Sequence, residues 1–322
     1  MIKPILAAAA IALAALAAQA QTYPTRTVTL VVPAAPGGPS DVLARVLSEK
    51  LKTSLGQNVV VDNRGGANGT IGVASVVRST PDGHTVLFSV DGPITTIPAL
   101  MANVPYDAAK DLMPAAVIGD GGDVVLAVPA ASPARTPKEL AELLRKDPAA
   151  ANYVSSGAGF PSHIVGELYK REAQFGAQHI AVRGAGAAMT ELLSGRYSFS
   201  FPPASIAAAQ AKAGKIRVLA VAAEKRNVLF PEVPTLAESG YPTVAPPSYW
   251  IAIYLPAATP PAVIDKLAAA TRDAVRTDEF AQLLKGQGMV ATTPMPAQII
   301  TRVKTETEFW SKTIKQLDIK ME

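Results

Sequence analysis

The sequence predicts an α/β protein of two domains, each a sheet flanked by helices, with the chain crossing twice between them. Three observations lead to this prediction. Short apolar strands alternate with helical stretches, and a loop of small residues repeatedly joins a strand to the next helix. One late strand, residues 248–255, follows a proline-rich connector and precedes only helices. We expect this strand to complete a sheet that begins earlier in the chain, which makes the first domain discontinuous.

The first twenty residues are interpreted as a signal peptide rather than as part of the fold. Residues 5–17 form an apolar run too short to span a bilayer, and Ala18-Gln19-Ala20 has the small-residue pattern of a cleavage site. The sequence contains no cysteine, so neither disulfides nor a lipid-bearing cysteine is expected. We therefore expect an exported protein whose mature chain is soluble and begins after Ala20.

The charge of the chain argues against nucleic acid as a partner. Its 322 residues include 30 basic and 26 acidic side chains, and the longest basic clusters are pairs such as Arg145-Lys146. Nucleic-acid binding requires a concentrated basic patch, which so scattered a surplus does not form.

The first strand–loop–helix unit runs from Thr27 to Leu55. A strand ends at Val32, prolines and glycines break the chain over residues 33–39, and Ser40-Asp41 offers an N-cap to an apolar helix face. Glycines before a helix let backbone approach a ligand closely, and the N–H groups of a first helical turn have no helical partner. This geometry suits a carboxylate or phosphate, with an ordinary strand-to-helix turn as the alternative.

Two similar units follow in the N-terminal half. A strand at residues 58–61 leads through a glycine-rich loop to a helix at 71–78, and a strand at 85–89 ends in a polar loop. Alternation of this kind is typical of a doubly wound layer, whose ligands bind beyond the carboxyl ends of the strands.

A second domain is expected over residues 106–224. Its predicted strands, which alternate with helices, include residues 117–118, 124–128, 152–155 and 178–182. We expect the chain to leave the first domain near residue 105 and to return near residue 225, so that residues 21–105 and 225–322 form domain 1. Two crossings make a hinge, and the ligand loops of both domains are expected to face a shared cleft.

Catalytic and cofactor motifs are weak throughout the chain. Gly184-x-Gly186 follows a strand, but Met189 stands where a dinucleotide fingerprint has its third glycine. Ser155-Ser156-Gly157 lacks the glycine that precedes the serine of a nucleophile elbow. His163 and Glu167 have helical spacing for a metal, yet a hydrogen-bonded or solvent-facing histidine is the favoured interpretation. We expect no catalysis, no cofactor and no metal.

Aromatic residues offer candidate walls for the cleft. Tyr249 and Trp250 alternate on the late strand, so they face opposite sides of the sheet. One of them is expected in the core and the other at the cleft, and Phe160 could wall the cleft from the second domain.

A series of ordered landmarks carries a family resemblance along essentially the whole mature chain. They include Val31–Asp41, Gly56–Arg64, Gly69–Gly72, Pro81-Asp82-Gly83, Pro105-Tyr106-Asp107, Ser155-Ser156-Gly157, Ser162-His163 and Pro256–Pro260. A chain with these landmarks resembles the periplasmic substrate-binding proteins of tripartite tricarboxylate transporters, the Bug or TctC-like family.

The resemblance implies a Venus-flytrap receptor in the periplasm, monomeric and without catalysis. Such a receptor captures a small organic carboxylate between its domains and delivers it to membrane transporter subunits. Carried over by position, the family's ligand loops fall on four groups of residues: Pro36, Gly37, Gly38, Ser40 and Asp41; Ser89 and Asp91; Ser155, Ser156, Gly157, Phe160, Ser162 and His163; Arg183 and Gly184. A carboxylate sensor that presents its closed form to a histidine kinase remains the alternative, since it needs the same fold.

The chain departs from the family pattern at positions that bear on the ligand. Pro202-Pro203 replaces a stretch that generally contains an Asp, and Phe160-Pro161 replaces small hydroxyl residues. Loss of that Asp removes an acceptor for an amino group, and Phe160 makes the pocket more apolar. With Pro202 and Tyr249 added to the candidate site, we expect a carboxylate with an apolar or aromatic body rather than an amino acid.

Overall fold

The computed structural model describes residues 23–101 and 103–319, so the expected signal peptide, residues 1–20, lies outside the described residues. The first half of the chain contains strands β1 (Val28–Val32), β2 (Val59–Asn63), β3 (Thr85–Val90) and β4 (Leu112–Asp120). Its helices are α1 (Pro39–Leu55), α2 (Thr70–Val77) and the short α3 (Gly92–Thr95), α4 (Ile97–Leu100) and α5 (Ala108–Asp111).

The rest of the chain continues the alternation. Its strands are β5 (Val124–Pro129), β6 (Asn152–Ser155), β7 (Gln178–Ala181), β8 (Phe199–Ser200), β9 (Ile216–Ala222) and β10 (Trp250–Pro256). Its helices are α6 (Pro137–Lys146), α7 (Pro161–Glu172), α8 (Ala185–Leu193), α9 (Ala204–Lys212), α10 (Pro261–Val275), α11 (Asp278–Gly286) and α12 (Pro296–Gln316). In the described part of the chain, no helix combines the length and the hydropathy needed to cross a bilayer.

The strands form two five-stranded sheets flanked by helices, as the sequence predicts. The first sheet has the order β2-β1-β3-β10-β4, with β1 parallel to β2 and β3 and with β10 antiparallel to both of its neighbours. The second has the order β7-β6-β8-β5-β9, with β6 parallel to β7 and β8 and with β5 antiparallel to β8 and β9.

Helices cover both faces of each sheet, so the central strands are buried on both sides. Successive residues of β1 show this directly: Leu30 packs into the cluster that includes Leu47 of α1, and Val31 packs into the cluster that includes Val73 of α2. Fully burying such side chains contributes roughly 1.5–3 kcal/mol each to the free energy of unfolding.

Strand β4 belongs to the first sheet, which corrects the expected boundary between the two halves. Its residues pair with β10, from Asp120 opposite Trp250 to Leu112 opposite Pro256. The first crossing therefore lies at residues 121–123, directly after β4, and not near residue 105. Apolar β-branched residues predict a strand but carry no information about which sheet the strand joins. The second connection between the sheets runs through residues 223–249, between β9 and β10.

Candidate ligand-binding cleft

Loops from both halves line one cavity between the two sheets. The loops after β1 and β3 approach it from the first half, and the loops after β6, β7 and β8 approach it from the second. The cavity has a volume of about 360 Å³. A neighbouring cavity of about 660 Å³ shares four of its lining residues, namely Asp91, Phe160, Pro161 and Tyr249. The two spaces form a cleft at the edge where the parallel strands end, as expected for doubly wound sheets.

The structure brings about half of the candidate site residues to this cleft. Those that line the first cavity are Ser40, Asp91, Ser156, Phe160, Ser162, Gly184 and Tyr249, and Pro36 lines the neighbouring one. The remaining candidates line neither cavity: Gly37, Gly38, Asp41, Ser89, Ser155, Gly157, His163, Arg183 and Pro202.

Several of these remaining residues make contacts behind the cleft. The Ser89 hydroxyl donates to its neighbour's carbonyl, Val90 O, at 2.8 Å. The Pro202 carbonyl accepts from Val125 N of the second sheet at 3.0 Å. These contacts hold strand ends in place rather than present a polar group to the cavity.

The loop before α1 is held by Asp41. The helix begins at Pro39 with Gly38 as its N-cap, so the expected cap at Ser40-Asp41 is wrong and both residues lie in the first turn. Asp41 Oδ2 accepts from Gly37 N at 2.9 Å and from Arg45 Nε at 3.0 Å. These hydrogen bonds lower the pKa of Asp41, with the one from Arg45 contributing most. Asp41 therefore positions the glycine loop, and Ser40 is the residue that reaches the cavity.

Two serines organise the corresponding loop before α7. Ser162 Oγ accepts from Ser156 N at 3.0 Å and lies 2.7 Å from Ser156 Oγ. Gly184 N donates to Ser156 O at 3.0 Å, which joins this loop to the start of α8. No side chain caps α1, α7 or α8 at the N-cap positions Gly38, Phe160 and Gly184. His163 N donates to Phe160 O at 2.9 Å, but side chains leave other first-turn N–H groups uncapped, and the helix dipoles favour an anionic ligand there.

Two histidines support the same loop from behind. His163 Nδ1 accepts from Gly159 N at 3.0 Å, and its ring stacks on that of His179 with 3.8 Å between the ring centroids. Burial lowers the pKa of both imidazoles, that of His179 to about 4. The stacked rings are therefore neutral at neutral pH, so they pack without charge repulsion.

The same histidines do not form a catalytic or metal site. His179 Nε2 lies 2.7 Å from Ser155 Oγ, but Ser155 is fully buried and lines neither cavity. The carboxylate of Glu167 is engaged by Tyr153 OH at 2.6 Å and by Lys170 Nζ at 2.8 Å. Within residues 23–101 and 103–319, no group of three His, Cys, Asp or Glu side chains is arranged to hold a metal ion.

The first crossing and the segment after α11 contribute cleft residues that the sequence analysis missed. Asp123 of the first crossing lines the cleft, as do Gln287 and Met289, which follow α11. Tyr249 packs against the first crossing so closely that a Cβ on Gly122 would lie 2.6 Å from Tyr249 Cδ1. The Gly121-Gly122 pair between two apolar strands is the one sequence signal that marks this crossing.

Two buried acids give the cleft an unusual electrostatic character. Asp91 and Asp123 are each only 6% exposed, and the described residues supply no hydrogen-bond partner to Oδ1 of either one. Burial raises the pKa of Asp91 to about 8 and that of Asp123 to about 7. Of the described residues that line the two cavities, none is Lys, Arg or His. In these cavities, favourable electrostatic contacts to an anion therefore have to come from helix starts and backbone N–H groups rather than from basic side chains.

The chain has two α/β sheets, a ligand-sized cleft between them and two crossings that connect them. This is the architecture of a periplasmic solute-binding protein. The model of the tripartite tricarboxylate transporter family receptor, TctC, matches residues 43–319 of this chain. The chain belongs to this family, which confirms the resemblance found in its sequence. The family consists of periplasmic receptors that bind solutes, not of enzymes.

Known relatives agree with this assignment. The chain is 32% identical over 304 residues to the protein BugT of Bordetella pertussis, which covers 94% of this chain and 92% of BugT. Its structure is similar to that of the periplasmic binding protein BugD, with a TM-score of 0.78, 30% identity and coverage of 93% of this chain and 100% of BugD.

Two similar solved structures contain a dicarboxylate. MatC from Rhodopseudomonas palustris, with bound malate, has a TM-score of 0.76 and 28% identity over 91% of this chain and 100% of MatC. An R. palustris protein with adipate has a TM-score of 0.79 and 28% identity over 92% of this chain and 99% of that protein. The two-domain flytrap fold that the sequence predicts is thereby confirmed.

Proposed function

We propose that this protein captures a small organic carboxylate in the cleft, in the periplasm, and delivers it to the membrane subunits of a tripartite tricarboxylate-type transporter. The observation that carries this proposal is the convergence of three helix starts, those of α1, α7 and α8, on one cavity without a basic side chain. The malate and adipate bound to the two similar structures support the same ligand class.

The carboxylate is held by backbone N–H groups and hydroxyls. Ser40 lies in the first turn of α1 and Ser162 in the first turn of α7, on opposite sides of the cleft. A carboxylate between them accepts hydrogen bonds from both helix starts, each of which is charge-assisted. Closure of the cleft excludes water and strengthens these interactions.

The body of the ligand is apolar or aromatic. Phe160, Val165, Ile206 and Met289 line the first cavity and bring carbon surface to it from both halves. Phe160 is 43% exposed where the two cavities meet, so its ring is accessible to a ligand there. A ligand ring or alkyl chain packed there gains roughly 25 cal/mol for each Å² of apolar surface removed from water.

Closure takes place at the two crossings. Ligand enters an open form, and bending at residues 121–123 and within residues 223–249 brings the helix starts together around it. Only the closed form then presents one continuous surface to the membrane partner.

The first test is a thermal-shift screen of residues 21–322 against dicarboxylates, tricarboxylates, aromatic carboxylates and amino acids. A ligand at about 100 times its Kd stabilises the native state by roughly 2.7 kcal/mol, which raises the melting temperature measurably. We expect hits among dicarboxylates or aromatic carboxylates. Circular dichroism should show that the protein is folded, and mass spectrometry that it carries no bound ligand. If no carboxylate then raises the melting temperature, the proposed function is contradicted. Tight binding of aspartate without any aromatic carboxylate contradicts the proposed ligand body.

A matched pair of variants tests the apolar wall. Phe160→Ala removes the ring from the cleft, and we expect it to weaken binding of an aromatic carboxylate about tenfold while binding of malate changes little. Leu143→Ala removes an exposed apolar side chain from α6, away from the cleft, and serves as the control. Equal losses for the two ligands in Phe160→Ala argue against direct contact between the ring and the ligand body.

A further inference from the structure

We propose that the carboxyl group of Asp91 acts as a hydrogen-bond donor to an anionic oxygen of the bound carboxylate, so that ligand capture is linked to protonation of this residue. The inference rests on the proposed function and names the group that selects the ligand in this cleft. In most anion sites a basic side chain donates the hydrogen bond to the anion; here a buried, protonated acid would donate it.

Asp91 is held at the cleft by its main chain. It follows β3 directly, lines both cavities of the cleft and is 6% exposed. Its main chain is held on both sides: Asp91 N donates to Trp250 O at 3.0 Å, and Asp91 O accepts from Ile94 N and Thr95 N, both at 2.8 Å. The side chain is thus placed at the cleft by a rigid backbone, yet its Oδ1 has no partner among the described residues. A buried polar atom without a partner costs about 1–3 kcal/mol unless something else, such as a ligand, supplies the hydrogen bond.

Charged groups of two neighbouring elements act on Asp91. The titratable or charged groups that act on it come from α12, namely Glu306 and Arg302, and from β10 and the residue before it, namely Tyr254 and Tyr249. Arg302 is already paired with Asp120 at 2.5 Å and with Glu306 at 2.6 Å. Arg302 favours the ionised form of Asp91, but its charge is already shared with two carboxylates and does not offset the effect of burial.

A bound carboxylate would place a further negative charge beside Asp91. An ionised Asp91 would be an unpaired buried charge that also faces Glu306 on one side and a bound carboxylate on the other. Protonation removes both repulsions and converts Asp91 from an acceptor into a donor. Burial, with a smaller contribution from Glu306, raises the pKa of Asp91 to about 8, so the donor form predominates at neutral pH.

A competing role predicts the opposite behaviour. If ionised Asp91 instead accepts from a ligand ammonium group, affinity rises as the pH approaches 8 and amino acids are preferred. The proton-linked role requires affinity for a fully ionised carboxylate to fall above about pH 8, by up to tenfold per pH unit.

The experiment is calorimetric titration of residues 21–322 with adipate, malate and benzoate between about pH 6.5 and about pH 9.5, a range in which all three probes are fully ionised. Repeating the titrations near pH 8.5 in buffers of different ionisation enthalpy measures proton uptake. We expect the affinity to fall above about pH 8, with uptake of up to one proton per ligand. A separate change near pH 7 would report Asp123, which lines the same cavity and whose pKa burial raises to about 7. This measurement on the natural chain needs no variant.

Two variants and a control locate the proton. Asp91→Asn keeps the shape and a donor N–H₂, so we expect the fall in affinity above about pH 8, and the proton uptake measured there, to be lost. Asp91→Ala removes the donor, so we expect weaker binding at every pH. Asp265→Asn changes an exposed acid on α10 and should behave like the natural chain.

The stability of the free protein gives a second readout. Because the folded state holds a proton on Asp91 that the unfolded chain loses near pH 4, the free energy of unfolding falls as the pH rises from about 4 to about 8. We expect Asp91→Asn to reduce that slope, measured by urea denaturation at several pH values.

The outcomes separate the two proposals. Binding of a probe with an affinity that is flat or rises with pH, or with the same pH dependence in Asp91→Asn, overturns the role of Asp91 and leaves the receptor function intact. Failure of all three probes to bind at any pH contradicts the carboxylate receptor function, and the role of Asp91 with it.

Discussion

Asn227 joins three segments at the hinge. This side chain, 2% exposed, donates through Nδ2 to Gly121 O at 2.6 Å and to Gly288 O at 3.0 Å, and it contacts Asp123 Oδ2 at 3.1 Å. Its Oδ1 accepts from Leu229 N at 3.0 Å. The side-chain amide of Asn227, in the second crossing, therefore hydrogen-bonds both the first crossing and the turn after α11. It holds these three segments together.

Replacing this residue tests its contribution. We expect Asn227→Ala to lower the free energy of unfolding by about 1–3 kcal/mol, because buried carbonyls and a carboxylate lose their donor. Urea denaturation followed by circular dichroism measures the change. Asn58→Ala, at an exposed position before β2, is the matched control and should be nearly neutral. A similar loss in both variants would show that the hinge contacts of Asn227 add no stability.

At the scale of elements, α12 ties together the edge of the first sheet. Arg302 pairs with Asp120 at the end of β4 and lies over the Trp250 ring of β10, 4.7 Å from its centroid. Trp250 Nε1 donates to Glu306 Oε2 at 2.8 Å. Burial raises the pKa of Glu306, and its partners Arg302 and Trp250 oppose that shift by favouring the ionised form. The helix is thus held by a buried polar network as well as by its apolar face.

Removing one member of this hydrogen-bond network should strongly reduce the stability of the protein. We expect Glu306→Ala to destabilise the protein by about 3–5 kcal/mol, since Arg302 and the indole N–H of Trp250 both lose a buried partner. Glu306→Gln, which retains an acceptor for Trp250, should cost less. Glu308→Ala, exposed on the same helix, isolates the effect of the helix itself. The midpoint of thermal unfolding measures all three, and equal midpoints for the two alanine variants would contradict the role of the network.

At the scale of the whole molecule, the two halves also touch away from the crossings. Ile164 of α7 in the second half is buried in one cluster with Trp310 and Ile314 of α12 in the first half. Trp310 also lines the cleft. This contact joins the halves at a point that opening of the cleft must separate, so it favours the closed arrangement.

Truncating the contact should shift the balance toward the open form. We expect Ile164→Ala to weaken adipate binding about tenfold, equivalent to about 1.4 kcal/mol, and to enlarge the radius of gyration of the liganded protein in X-ray scattering. Ile216→Ala removes the same atoms from a buried site in β9 that is remote from the cleft, and it should lower stability without changing the affinity. Identical affinities in the two variants would contradict a role for the contact in closure.

Much of the fold follows from local patterns in the sequence. The predicted strand at 152–155 coincides with β6, and the predicted strands at 124–128 and 178–182 differ from β5 and β7 by one residue, because short apolar runs are local signals. The assignment of β4 to the wrong half has a physical reason as well. Pairing partners are chosen by contacts between residues that are distant in the chain, and an apolar strand suits either sheet.

Local patterns predict less well which side chains face the cleft. Loop position predicts Ser40, Ser162 and Tyr249 at the cleft, but the side chain of Ser155 turns toward His179 behind it. Asp123 reaches the cleft from a crossing that was placed elsewhere along the chain. Whether a polar residue faces a ligand or supports a loop depends on tertiary contacts that spacing alone does not encode.

The position of β10 between β3 and β4 affects the order in which the two sheets can form during synthesis. When the chain emerges N terminus first, the second sheet has all its strands once residue 222 is available, whereas β4 has no partner within the first sheet until residues 250–256 follow. The half that begins first is therefore finished last, and it leaves a long strand edge exposed in the meantime. Tyr249, directly before β10, arrives with that final strand, so the cleft takes shape only as the first sheet closes.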